Sequence, residues 1–437
     1  MVRYDALPDL VGALELIGEG RLPVDALLHT VRQRLLTVEP RVHAYRRLSP
    51  ALDTAVAGAG PLAGVPLAVK DLIDVQGLPT EGGSPAYHWV PVRHAPVVDR
   101  LVRAGAVVVG KAHTRELAFG ITCPPTVNPW DLTRTTGGSS GGSAAALAAG
   151  LAWAALGTDT AGSVRIPAAL TGVAGLKPTH GRLSVQGVMA LSWTYDAVGP
   201  MARSARDVSR LYAILTGSQS EASPRRPEAI RIPAGYLDGW MAPGVQTAFE
   251  SAAGIFEEAG TTSQPVDMEP FEDWTRLFRA VRLPEAYLYH KPMLESDASA
   301  RLAEPGLRER LLAGQSLPAH VYIGVLRERD ALRRAWVRRI RPGELVVLPT
   351  VPVTAPGESE DPVDVAGVRR DLWETLVRYT LPWNVLGWPA VTVPMGTADG
   401  LPTALQIVGR PGSERELLGA AAWYETVRGP IAFPTVV

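Results

Sequence analysis

The segment TTGGSSGGSAAA, residues 135–146, constrains this chain more than any other, because its glycines and serines feed without interruption into an apolar run that continues to Leu156. A flexible linker has such a composition, but linkers seldom sit between apolar core segments or lead straight into a helix. The alanine-rich stretch 144–151 reads as a helix, 152–157 as a buried strand, and 165–170 as the start of another helix. The Gly/Ser motifs therefore lie at junctions between buried elements.

Three chemistries suit such a junction. Glycines before a helix expose backbone N–H groups to an anion, yet the GK[ST] ending of a phosphate loop is missing. The stretch also contains G-x-S-x-G twice, centred on Ser139 and Ser140. A nucleophile elbow needs an apolar strand just before it, and the preceding NPWDLTRTT is polar. Nothing marks any of the eight histidines, His180 included, as a catalytic base. A second small-residue loop, GTDTAGSVRIPAA at 157–169, offers Ser163 among residues small enough to turn several N–H groups towards one point, as an oxyanion hole requires. A serine needs a base, and after histidine the next candidate is a lysine held neutral by burial. Lys70 ends the apolar run 65–69 and has that setting.

The rest of the chain reads as alternating α and β. Apolar residues from Leu7 to Leu36 recur at helical spacing, with a break at 18–23, which predicts two amphipathic helices over the core. GVPLAVKDLIDV at 64–75 predicts a buried strand, and VVDRLVRAGAVVVGKA at 97–112 a helix, a turn and a strand. Residues 218–231 form an exposed connection, and a charged helical region follows to about Pro342. Its many arginines read as a solvated face. ELVVLPTVPV and PAVTVPMG return as strands.

Composition removes several functional classes. Forty-three basic against forty-four acidic residues provide no field to gather nucleic acid or anionic lipid. Cys123 is the sole cysteine, so neither an intrachain disulfide nor a thiolate metal site can form, and a cytoplasmic setting is expected. The start MVRYDALPDLV does not resemble a secretory signal. The apolar run 144–156 is shorter than the ~20 residues that span a bilayer, so no membrane partner is expected.

The whole stretch GGSSGGSAAALAAGLAWAALGTDTAGSVRIPAALTGVAGLKPTHGRLS resembles the amidase signature family. GVPLAVKDLIDVQGLPTEGGS, GKAHTRELAFG, NPWD, DAVGPMARSARDV, LPWNVLGWPAVTVPMG and LQIVGRPGSE extend the resemblance to Glu414. It implies an α/β fold, a single α/β/α sandwich around a large mixed β-sheet over 1–437, with 218–345 as a helical, variable cover. It implies a Ser-cisSer-Lys triad at Ser163, Ser139 and Lys70, with the cis peptide between Gly138 and Ser139. The N–H groups of Thr160, Ala161, Gly162 and Ser163 would form the oxyanion hole, and Ser140, Thr158, Asp159 and Arg165 would support the loops by hydrogen bonds. No metal or organic cofactor is implied.

The expected activity is hydrolysis of a small-molecule carboxylic amide to acid plus ammonia or amine through a Ser163 acyl-enzyme, with no nucleic-acid partner and a homodimer allowed. The alternative is the glutaminase component of a tRNA-dependent amidotransferase, whose paired-tyrosine segment is not visible here. Ala161 departs from the family string TDTGGS, which is tolerable if that position avoids positive φ. Trp193, Tyr195, Trp383 and Trp388 flank these motifs, where they either pack the core or line an acyl pocket.

Overall fold

The structure is a computed structural model that describes residues 8–55 and 59–434. Leu7, where the first amphipathic pattern begins, lies outside the described residues. Helix α1 (Leu10–Gly18) starts where the Asp9 side chain accepts from the Gly12 N–H, and α2 (Ala26–Thr37) follows after the break the spacing predicts.

Eleven strands form one sheet. They are β1 (Tyr45–Leu48), β2 (Pro66–Lys70), β3 (Val107–Ala112), β4 (Ala154–Asp159), β5 (Ala174–Lys177), β6 (Ala197–Ala202), β7 (Ala229–Ile232), β8 (Thr262–Pro265), β9 (Glu344–Pro349), β10 (Ala390–Ala398) and β11 (Leu401–Val408). Their order across the sheet is β1-β3-β2-β4-β6-β5-β10-β11-β9-β7-β8. The sheet is mixed: β2 lies parallel between β3 and β4, every pairing from β4 through to β9 is antiparallel, and β9, β7 and β8 run parallel. Every residue of β2, β4, β5, β6 and β11 is buried. Strands covered on both faces read as continuous apolar runs rather than alternations, as the sequence does at 64–75 and 152–157.

Helices complete the α/β/α sandwich. After α3 (Pro96–Arg103) come α4 (Gly141–Ala148) and α5 (Arg165–Thr171), which pack on each other and on the central strands with every residue buried. Small side chains all round α4 let it lie inside the molecule. Helices α6 (Ala205–Thr216) and α7 (Pro243–Glu258) lie on the sheet, each packed against α12 (Glu414–Arg428), which bridges them.

The segment expected as a helical cover carries α7, α8 (Phe271–Leu294), α9 (Leu307–Leu312) and α10 (Ala319–Arg339). It also supplies β7 and β8 at the sheet edge, which the sequence reading missed: AIRI and TSQP are four residues each, too short to show a period. Leu117, Phe119 and Leu191 from the loops beyond the sheet join Ala286, Leu294, Leu307 and Leu311 in an apolar cluster, so α8 and α9 pack directly on those loops. A last helix, α11 (Leu381–Leu386), packs against α8 and α10.

Candidate active site

Lys70 is the last residue of β2 and is wholly enclosed. Its Nζ donates to Ser139 Oγ at 2.8 Å, Ser140 Oγ at 2.9 Å and Thr158 Oγ1 at 2.8 Å. Three hydroxyls around one nitrogen suit either protonation state. An ammonium donates to all three, and a neutral amine donates two protons and accepts one through its lone pair. Burial pulls the Lys70 pKa down to about 7 against the raising influence of Cys123, Asp159 and Asp196. The hydroxyl of Ser140 is committed, because it donates to the Thr158 carbonyl at 3.2 Å while accepting from Lys70 and from the Thr158 N–H. Ser139 follows a cis peptide bond from Gly138, where the resemblance implied one, and its carbonyl accepts from the Arg115 N–H at 3.2 Å.

Ser163 sits on the loop between β4 and α5, and its carbonyl accepts from the Ser140 N–H at 3.1 Å, which ties the two serine loops together. It is 7% exposed, whereas Lys70 and Ser139 are 0% exposed, so only Ser163 can meet a molecule arriving from solvent. Asp159 organises this loop. Its carboxylate accepts from the N–H groups of Gly162 at 2.9 Å and Val164 at 3.2 Å, and pairs with the Arg165 guanidinium at 2.9 Å. Burial alone would raise the Asp159 pKa; Arg165 outweighs it and the carboxyl falls to about 2.

The expected oxyanion hole is corrected at one position, since the Gly162 N–H already serves Asp159, leaving Thr160, Ala161 and Ser163 as candidate donors. Ala161 avoids positive φ, which falls instead on Gly162 at +127°. A Cβ at Gly162 would also lie 2.2 Å from Thr380 Oγ1, so this glycine is irreplaceable while the neighbouring alanine is tolerated.

The sequence pattern of the Amidase family matches residues 31–418. This chain belongs to the amidase family. The A subunit of the glutamyl-tRNA(Gln) amidotransferase of Roseiflexus castenholzii is 33% identical to this amidase, over 95% of this chain and 94% of that relative. A crystal structure described as an amidase superposes with a TM-score of 0.89 at 34% identity, over 97% of this chain and 100% of that one. The corresponding A subunit of the Thermotoga maritima glutamyl-tRNA(Gln) amidotransferase superposes with a TM-score of 0.83 at 28% identity, over 100% of this chain and 99% of that one. The protein is thus a hydrolase of amide C–N bonds.

In this amidase the competing serine chemistry finds no support. Ser139 and Ser140 bond to lysine and threonine rather than to histidine, and His180 Nε2 lies 2.9 Å from the Trp193 carbonyl. Trp383, Trp388 and Tyr195 are core residues; Trp193, 42% exposed, is not. Residues that sequence reasoning passed over brace the Ser163 loop. Thr380 Oγ1 donates to the Ala161 carbonyl at 2.6 Å, Asn384 Nδ2 to Asp159 at 2.8 Å, and Arg165 to Gln406 Oε1 at 2.7 Å. The Thr160 hydroxyl donates to Asp196 at 2.6 Å, whose pKa burial raises to about 6 although hydrogen bonds from Thr160, Ser192 and Leu191 oppose it. Asn384, Gln406 and Asp196 lie inside the recognised motifs, which was the available signal. A second signal is the lysine count: the chain has four, and Lys70, Lys111 and Lys177 are enclosed, leaving Lys291 at the surface. Among the described residues, no helix is long and apolar enough to cross a membrane.

Proposed function

We propose that this amidase works through Lys70, Ser139 and Ser163 as a free-standing hydrolase of small or aryl amides. The single observation that carries the reading is Lys70 Nζ, buried and 2.8 Å from Ser139 Oγ in a setting that holds it near neutrality. Neutral Lys70 takes the proton of Ser139, Ser139 takes that of Ser163, and Ser163 Oγ attacks the amide carbonyl carbon. The tetrahedral oxyanion is met by the N–H groups of Thr160, Ala161 and Ser163. The proton returns through Ser139 to the leaving nitrogen as the C–N bond breaks, and a water activated by the same relay releases the acid. Ser140, Thr158, Asp159 and Arg165 hold the two loops in register. The relay uses no metal or organic cofactor. Residues 1–437 act as one amidase domain in the cytoplasm, with 218–345 as a variable cover that tunes substrate choice.

An active-site-directed fluorophosphonate or sulfonyl fluoride tests the site: labelling is expected at Ser163 and lost in Ser163→Ala. Labelling at Ser140 would overturn the assignment. A second reading, the ammonia-releasing component of an amidotransferase, is favoured by the relatives of that name. Purified protein that leaves a broad amide and aryl-ester panel untouched, and gains turnover only with partner proteins, would make that reading the better one.

A further inference from the structure

Glu285 stands inside α8 and is 1% exposed. Its carboxylate accepts from four neutral donors. Oε2 takes the Ser192 hydroxyl at 2.5 Å and the Thr194 N–H at 3.1 Å, while Oε1 takes the Thr194 hydroxyl at 2.5 Å and the Tyr322 hydroxyl of α10 at 2.7 Å. Four donors occupy the lone-pair sites that an ionised carboxyl offers. A leucine would fill the same space without stripping water from a charge, so packing alone does not account for an acid at this place.

Three of the four donors belong to one turn, residues 192–194, and that turn leads to the Ser163 loop. The N–H groups of Leu191 and Ser192 donate to Asp196 Oδ2 at 2.9 Å and 3.0 Å, and the Ser192 carbonyl accepts from the Asp196 N–H at 2.7 Å. The other oxygen of Asp196 accepts from the Thr160 hydroxyl at 2.6 Å, next to the candidate oxyanion donors. Ser192 is wholly enclosed, Thr160 is 2% exposed and Asp196 6%, so water has little access to compete for these bonds. The two helices grip the turn elsewhere as well: the Tyr195 hydroxyl donates to the Leu277 carbonyl at 3.1 Å, and Arg329 Nη2 to the Thr194 carbonyl at 3.4 Å. Of these helix contacts, that of Glu285 is the one that holds Ser192, and Ser192 holds Asp196.

We propose that Glu285 is a positioning residue for the reaction: from α8 it fixes the turn 192–196, and through Ser192 and Asp196 it fixes Thr160, so that the N–H groups of the Ser163 loop stay aimed at the oxyanion. The inference rests on the hydrolase reading above and adds to it a residue outside the signature motifs.

The rate of Ser163 labelling by diisopropyl fluorophosphate tests this without a known substrate. Ser163 Oγ bonds to phosphorus, fluoride leaves, the serine proton passes through Ser139 to Lys70, and the phosphoryl oxygen takes the place of the oxyanion. Glu285→Ala is expected to slow labelling by about 10- to 100-fold, the scale of a small misplacement in a catalytic site. Glu285→Gln should restore most of the rate, because its carbonyl can accept from Ser192 and Thr194 N–H while its amide donates to the Thr194 and Tyr322 hydroxyls. Thr160→Val should slow labelling as Glu285→Ala does. The double variant should be no slower than the slower single one, since both loosen one series of bonds. The pH of half-maximal labelling belongs to Lys70 and should stay at about 7 throughout. Should Glu285→Ala fail to fold, Ser192→Ala, which removes the hydroxyl that Glu285 holds, is read the same way. A lower urea midpoint with an unchanged labelling rate would make Glu285 a purely structural support and overturn the proposal. Losses that multiply in the double variant, or a pH midpoint that moves while the plateau rate holds, would overturn it too. Each of these outcomes leaves the hydrolase reading intact, whereas wild-type protein that is not labelled at Ser163 would sink both.

Discussion

A lysine ammonium enclosed by three hydroxyls and no carboxylate is unusual, because burial strips its water without supplying a counter-charge. That penalty lowers the Lys70 pKa to about 7, which is what the proposed role as base requires. Below about 7 the protonated form dominates and the lone pair needed by Ser139 is gone. We therefore expect kcat/KM to fall by about tenfold per pH unit below that value and to level off above it. Lys70→Ala should cost at least about a thousandfold in turnover, and Lys70→Arg nearly as much, since guanidinium keeps its proton. Steady-state rates across pH 5–9 check both, and near-normal turnover of Lys70→Arg at neutral pH would reduce the lysine to a fixed charge. From the residues alone the apolar run ending in Lys70 and the small-residue loop around Ser163 stand out only as candidates, and it is the family resemblance that joins them with Ser139; the structure brings Lys70 against Ser139. The engagement of Gly162 with Asp159 was not legible in the sequence, since it depends on a side chain folding back three residues, which leaves no periodic trace.

At the scale of elements, α4 shows why the Gly/Ser junction has the residues it has. A Cβ at Gly142 would lie 2.5 Å from the Ala44 carbonyl oxygen and the His113 nitrogen, and 2.6 Å from the His113 carbonyl oxygen. All three are backbone atoms, so the helix itself would have to move, and Ser139 and Ser140 precede its first turn. Gly142→Ala is expected to destabilise the protein by about 1–3 kcal/mol, the usual cost of overpacking. It should also lower kcat more than KM, because the serines shift with the helix. Urea unfolding together with steady-state kinetics measures both, and an unchanged unfolding midpoint would mean that the close approach relaxes freely. The helix–strand succession at 97–112 and 144–157 was readable because both the long period and the continuous apolar run survive in sequence. Strands β7 and β8 were not, because their identity comes from docking beside β9 rather than from their own four residues.

Across the whole molecule, the helices between residues 271 and 339 are fastened by aromatic rings. Trp336 on α10 meets Trp274 on α8 at 6.3 Å between centroids, Trp383 on α11 at 5.5 Å, and Trp388 at 5.9 Å, and all four are fully buried. Helices α8 and α10 and the motif LPWNVLGWP thus share one core. Trp336→Ala should cost about 3–5 kcal/mol of global stability, seen as a lower urea midpoint with a single transition. A two-step transition with the main midpoint unchanged would instead mean that the cover unfolds separately. The sandwich was legible from motifs spread between residues 64 and 414, whereas this junction joins segments far apart in the chain and no single stretch announces it. The distribution of lysines has a practical outcome of a different kind. In the folded chain an amine-acylating ester meets one lysine side chain, Lys291, while Lys70, Lys111 and Lys177 are sealed away. Mass increments at those three positions would count molecules that have opened, so the protein carries its own chemical gauge of unfolding.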